Sequence, residues 1–272
     1  MGATENRFDI SIVYLIALGA MNREHVRVKD LVLKHREGST MAGSPAFPRT
    51  QKIGVFVFDG FEPIDVFGFA EAFTIARFLG TNYASRPPYP FEVVLIGKEV
   101  KKVKSMNGPS VMPDMGFDQA RHEPFDVLMI PGGGGTWPLL DEEQNPADVK
   151  TLLDWLHAMD GKVQIMASVC TGAAVLARGG LLDGLPAATN HAAFGWVTKQ
   201  GPKVLWDSVS RWVDAGKYVT SAGVSAGTDM GFYLVSRLAG RAVAEVAVKD
   251  AEYDWHRDPQ APIFYPQQGE VS

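Results

Sequence analysis

The sequence predicts one α/β domain, a mostly parallel sheet with helices on both faces. Three observations lead there. Short, almost wholly apolar, β-branched runs recur along the chain, as strands covered on both faces require. Stretches with helical spacing alternate with them, the pattern of a parallel sheet joined by crossover helices. Several of these runs end directly in glycine, serine or cysteine, where a parallel sheet exposes its carboxyl edge.

The elements follow in order. Ile53–Phe58 (IGVFVF) is the first strand, closed by Asp59-Gly60. Pro63 suits a first helical turn, and Phe67, Ala70, Phe73, Ile75 and Ala76 keep helical spacing as far as Leu79. Phe91–Ile96 is the second strand. Asn107-Gly108, inside an excursion from Lys98 to Met115, is a two-residue hairpin signal. Val127–Ile130 is a third buried strand and runs into Pro131 and four glycines. Val149, Leu152, Leu153 and Leu156 mark a helix that reaches Met159. Val163–Val169 is the fourth strand, followed by Cys170 and helical text over Gly172–Ala177. Tyr218–Ser221 is a further strand, and Gly227–Leu238 and Ala242–Tyr253 are helices.

Composition narrows the function classes. A chain of 272 residues buries roughly three quarters of its unfolded surface and needs no disulfide or structural metal to fold. Its single cysteine rules out an intrachain disulfide and any multi-cysteine metal site. Lys and Arg number 26 against 31 Asp and Glu, a net charge of −5, which argues against general nucleic-acid binding. Residues 1–50 read as an N-terminal extension outside the core, and residues 51–272 as the α/β domain. The apolar run Ile10–Ala20 is shorter than the ~20 residues that span a bilayer. Glu5, Arg7 and Asp9 before it do not make the positive start of an export signal. The expectation is a cytoplasmic protein without a membrane segment, with export through a weak N-terminal signal left open.

The chemistry concentrates around Cys170. A buried strand ends and a helix of small residues begins, with the cysteine at the junction, as in a nucleophile elbow. A helix N-terminus beyond it is expected to stabilise a thiolate and lower the thiol pKa. A buried cysteine acting as a small hydrophobe is the bland alternative. Pro131-Gly132-Gly133-Gly134-Gly135 should lie at the same edge, with backbone N–H groups free to face an anion. It lacks the endings of a phosphate-binding or dinucleotide loop. Glu62 and Asp65 follow the first strand and offer a carboxylate to the thiol; spacing alone leaves open which, or whether both are helix-end charges. His191, 21 residues beyond the cysteine, and Gly223 in Ser221–Gly227 are candidate walls of the site. The six histidines show no metal-ligand spacing, so no metal is expected.

Four stretches together resemble the ThiJ/PfpI superfamily, whose fold is like that of class I glutamine amidotransferases. They are Phe61-Glu62-Pro63-Ile64-Asp65, Ile130-Pro131-Gly132-Gly133, Ser168-Val169-Cys170-Thr171-Gly172 with Gly180-Leu181-Leu182-Asp183-Gly184, and Ser221–Asp229 (SAGVSAGTD). The resemblance runs from about Ile53 to Phe264 and is closest to the isonitrile (isocyanide) hydratase branch. Thr171 directly after the cysteine and aspartate at position 65 match that branch. Protease-like and glyoxalase-like members carry histidine and glutamate there.

The resemblance implies a flavodoxin-like three-layer sandwich and a homodimer that takes a small-molecule substrate without a cofactor. It implies Cys170 as nucleophile, Asp65 as acid/base and Thr171 as a hydrogen-bonding partner. It further implies Gly132 and Gly133 as backbone oxyanion donors, and Ile64, His191 and Gly223 around the substrate. The implied reaction adds water to an isocyanide and gives an N-substituted formamide. A thiol redox sensor or holdase, or a cysteine hydrolase acting on a small carbonyl compound, are the alternatives. Some members of the branch carry a C-terminal DNA-binding domain of the AraC type; Pro259–Ser272 leaves no room for one, so no nucleic-acid partner is expected.

Overall fold

The computed structural model describes residues 48–81, 84–261 and 263. The apolar run Ile10–Ala20 lies outside them, as does most of the expected extension. Residues at the start of the described chain hold on to the domain. The Arg49 guanidinium pairs with the Asp126 carboxylate, and Thr50 Oγ1 donates to Tyr89 O at 2.7 Å.

A seven-stranded sheet forms the centre. Its strands are β1 (Gln51–Phe56), β2 (Phe91–Gly97), β5 (Met115–Gly116), β6 (Val127–Ile130), β7 (Ile165–Ser168), β10 (Trp212–Ala215) and β11 (Tyr218–Ser221), in the order β10-β11-β7-β6-β1-β2-β5. Only β10 runs antiparallel, against β11. Every residue of β6 and β7 is buried, which is why β6 reads as an unbroken apolar run and β7 as one up to Ser168. Two small sheets stand apart. β3 (Val103–Lys104) pairs with β4 (Ser110–Val111) around the expected Asn107 turn, where Asn107 has φ 53°. β8 (Pro186–Ala188) pairs with β9 (Leu205–Asp207).

Helices cover the sheet in two layers. One layer contains α1 (Pro63–Thr74), α7 (Ala226–Ala239) and α8 (Arg241–Asp250). The other contains α4 (Pro146–Asp160) and α5 (Gly172–Arg178). Three short helices complete the set among the described residues: α2 (Phe117–Ala120), α3 (Thr136–Leu139) and α6 (Phe194–Gln200). The α4 layer is anchored by Trp155, fully buried, whose ring stacks on Phe117 at 4.0 Å and meets Phe56 at 5.6 Å. Burying each such ring is worth about 1.5–3 kcal/mol. On the other face Phe73 of α1 meets Phe91 of β2 edge-on at 5.1 Å.

Several boundaries differ from expectation for physical reasons. The first helix stops at Thr74 rather than near Leu79, because the Arg77 guanidinium takes the carbonyls of Thr74 (2.7 Å) and Ala76 (2.9 Å). The strands β5, β8, β9 and β10 carry two to four residues each, too few to show a period in the sequence. β8 also opens on Pro186, a residue that discourages a strand reading.

The connectivity creates the site. From β1 the chain moves to β2 and β5 on one side; it then returns to β6 and proceeds to β7 and β11 on the other. The crevice where these directions diverge, at the carboxyl ends of β1 and β6, is where open α/β sheets bind ligands.

Candidate active site

Three loops meet in that crevice. After β1, Asp59-Gly60 turns the chain, and Glu62 N donates to Gly132 O at 2.8 Å. After β6, Gly135 N donates back to Gly60 O at 3.0 Å. Only glycine fits at Gly133, with φ 123° and an ideal Cβ that would lie 2.3 Å from Gly60 O. After β7, Cys170 adopts φ 59°, left-handed for a residue with a side chain. Such backbone costs of the order of 1–3 kcal/mol and is held only by its surroundings. Here Cys170 N donates to Ala222 O at 3.2 Å, and Thr189 Oγ1 donates to Cys170 O at 2.9 Å.

The elbow presents the thiol to Asp65. Asp65 stands in the first turn of α1 with no exposed surface, and Gly132 N donates to its Oδ2 at 2.8 Å. Its Oδ1 has no hydrogen bond of ordinary geometry. Burial raises the Asp65 pKa to about 7; the Gly132 N–H opposes the rise, the Glu62 charge adds to it, and the Cys170 thiol opposes it. Burial also pushes the Cys170 thiol up to about 12, with the Asp65 charge as the second cause. Donors from the Thr171 backbone, the Asn190 side chain and the Thr171 side chain act the other way. The expected low thiol pKa is therefore overturned. Cys170 is 6% exposed, no cation appears among the groups acting on it, and the nearest charge is a carboxylate.

The glycine loop also serves differently from expectation. The Gly132 N–H is engaged by Asp65, and the Gly133 N–H donates to Thr171 Oγ1 at 3.1 Å. Neither is left facing a substrate. Thr136, fully buried, donates its hydroxyl to Gly133 O at 2.7 Å. Its one proton is thus used, so Thr171 is the donor in the 2.9 Å contact between the two hydroxyls. The Thr171 proton has both Thr136 Oγ1 and the Cys170 sulfur as acceptors.

The structure thus brings together Cys170, Asp65, Thr171, Gly132 and Gly133, with Gly223 against Asn190 and next to Ala222, whose carbonyl holds Cys170 N. Ile64 is 44% exposed on the turn of α1 that carries Asp65. His191 interacts with Asp207 and Ser210, and burial lowers its pKa; no contact with Cys170 is made. Thr136 and Asn190 belong to the site and carry no motif of their own; Asn190 is the direct neighbour of the histidine that draws attention in the sequence.

A cavity of about 530 Å³ opens beside the glycine loop, lined by Phe56, Asp59, Lys98 and Gly135 among others, but not by Cys170 or Asp65. Its lysines are largely matched by acids: Lys98 pairs with Asp148 and Lys101 with Glu99. Among the described residues there is no group of three or more metal-binding side chains, and no helix is long and apolar enough to cross a membrane.

The chain is similar to several known proteins. Isonitrile hydratase from Pseudomonas putida is 31% identical over 162 residues, 60% of this chain and 66% of that protein. The HTH-type transcriptional regulator GbdR from Pseudomonas aeruginosa is 25% identical over 210 residues, 77% of this chain and 53% of the regulator. The chain thus spans about two thirds of one relative and half of the other. A ThiJ/PfpI family protein from Pseudomonas syringae has the same fold, with a TM-score of 0.62 at 22% identity over 84% of this chain and 86% of that one. The model of the DJ-1/PfpI family matches residues 51–237, which takes in β1, the glycine loop, the cysteine elbow and α7 through Arg237, and the chain accordingly belongs to that family.

Proposed function

We propose that the protein is an isonitrile hydratase-like enzyme that adds water to a small isocyanide and releases an N-substituted formamide. The observation that carries the reading is the buried Asp65 carboxyl set against the Cys170 thiol. Its support is the similarity to the Pseudomonas putida hydratase. Above neutral pH the pair holds one proton, and it rests on sulfur. An isocyanide, R–N≡C, offers a terminal carbon to that sulfur. As the C–S bond forms, Asp65 takes the thiol proton and returns it to the same carbon, giving the thioimidate R–N=CH–S. Asp65 next takes a proton from water while the water oxygen adds to that carbon. Asp65 gives that proton to the nitrogen, then takes the hydroxyl proton of the adduct and passes it to sulfur as the C–S bond breaks, so that R–NH–CHO leaves with the thiol restored and Asp65 ionised.

Each group has a matching role. A neutral thiol beside a base suits an uncharged electrophile, because ionisation is deferred until the substrate is in place. Asp65, with a pKa near operating pH, suits a group that both accepts and donates a proton. Thr171 orients the sulfur through its N–H and hydroxyl. A redox-sensor role has less support, since oxidation proceeds through the thiolate and burial and the Asp65 charge disfavour it here.

The test is formamide production from a simple alkyl or aryl isocyanide. Cys170→Ala should fall to background. Asp65→Asn, which keeps an acceptor for Gly132 N, should fall by about 10²–10⁴-fold, the usual contribution of a positioned acid/base. Retained turnover in Cys170→Ala would reject the reading.

A further inference from the structure

Charge that develops on sulfur needs donors, and the expected ones are occupied. Gly132 N–H is held by Asp65 and Gly133 N–H by Thr171. The side chain that takes their place comes from a different part of the chain. Asn190 lies in the turn between β8 and α6. Its Oδ1 accepts from Ala193 N at 2.9 Å, which fixes the amide orientation and leaves Nδ2 as the free, donating end. Nδ2 lies against Gly223: a Cβ at that glycine would sit 2.1 Å from it. The neighbours of both residues grip Cys170 directly. Thr189 Oγ1 bonds Cys170 O at 2.9 Å, and Ala222 O accepts from Cys170 N at 3.2 Å. The amide is thereby pinned between two segments that are themselves tied to the nucleophile.

We propose that the Asn190 side-chain amide is a catalytic donor to the ionised Cys170 sulfur, and that position 223 is glycine to give that amide its place. It rests on Cys170 acting as the nucleophile in the reading above. Before attack the amide contacts the thiol; as the proton passes to Asp65 it stabilises the charged sulfur, together with the Thr171 N–H. When the C–S bond breaks, the same donor stabilises the departing sulfur.

The chain has one cysteine, so alkylation by iodoacetamide reports on Cys170 alone and requires no isocyanide. Rates are measured across neutral to alkaline pH for wild type, Asn190→Ala and Gly223→Ala, with folding checked by thermal unfolding. Asn190→Ala removes the donor without placing a new charge beside the sulfur. It should alkylate about tenfold more slowly at mildly alkaline pH, the scale of one lost hydrogen bond to a charged group. Its pH profile should also shift to higher pH. Gly223→Ala, which drives the amide away, should shift the profile in the same direction. An Asn190→Ala profile that overlays wild type would overturn the proposal, and an unshifted Gly223→Ala would overturn the role given to the glycine. Because this readout does not depend on formamide formation, failure of the hydratase reading and failure of this one are separable.

Discussion

Between pH values of about 7 and about 12 the Asp65 carboxyl and the Cys170 thiol hold a single proton between them, and titration of either is a property of the pair. Below about 7 a second proton enters, Asp65 can no longer accept one, and turnover should fall along an acid limb with that midpoint. Asp65→Asn should abolish the limb along with most of the activity; a wild-type profile flat through pH 7 would contradict the pairing. Stability follows the same group with a definite sign. Its pKa rises on folding from 3.8 to about 7, so the folded state binds the proton more tightly and gains from acidification. Wild-type stability should therefore decline as pH rises between these values, by about 1.4 kcal/mol per pH unit at most. Urea midpoints of Asp65→Asn should lack that decline and exceed wild type at pH 8. Cys170 was legible in the sequence because it follows a strand end, whereas spacing left Glu62 and Asp65 open, and Asp65 and Thr171 took their roles from the resemblance. Asn190 was not legible, since it follows β8, a strand of three residues too short to place its turn at the site.

At the scale of elements, the motif Ser221–Asp229 has a structural task at its far end. Asp229, in the first turn of α7 and fully buried, receives Arg211 Nε at 3.0 Å and Nη2 at 2.5 Å. Tyr253 Oη and His256 N complete its shell at 3.0 and 3.1 Å. One carboxylate thus clasps β10's approach, α7 and the segment that follows α8. Arg211 N also donates to Pro259 O at 2.7 Å, and Arg211 O accepts from Ala222 N at 2.7 Å. Asp229→Asn would leave a buried guanidinium without its counter-charge, at a cost of about 3–5 kcal/mol. A lowered urea midpoint with earlier proteolytic cleavage near residues 251–261 is the expected result; unchanged cleavage would argue against the clasp. The sequence marked this aspartate only as part of a pattern. Its partners come from 18 residues before and 24 to 27 after, a convergence that helical and strand periods do not encode.

For the whole molecule, the major strands and long helices were readable because covered parallel strands are apolar on both sides. What stayed hidden was strand order, which depends on how crossover helices distribute between two faces. That order places all the site's hydrogen-bonding groups named above within residues 60–222. Removing residues 1–46 while keeping Arg49, which pairs with Asp126, should leave Cys170 alkylation unchanged; a loss would give that segment a part in building the site. One further pair joins the segments that follow Thr136 and Asn190. Trp137 follows Thr136, and Trp196 belongs to the helix entered just after Asn190; their rings stack at 4.1 Å and 21°. Two indoles this close couple their excited states, so the protein carries its own optical gauge. Near-ultraviolet dichroism of this pair, recorded before and after alkylation of Cys170, is expected to change if the turns that carry the two rings move with the adduct.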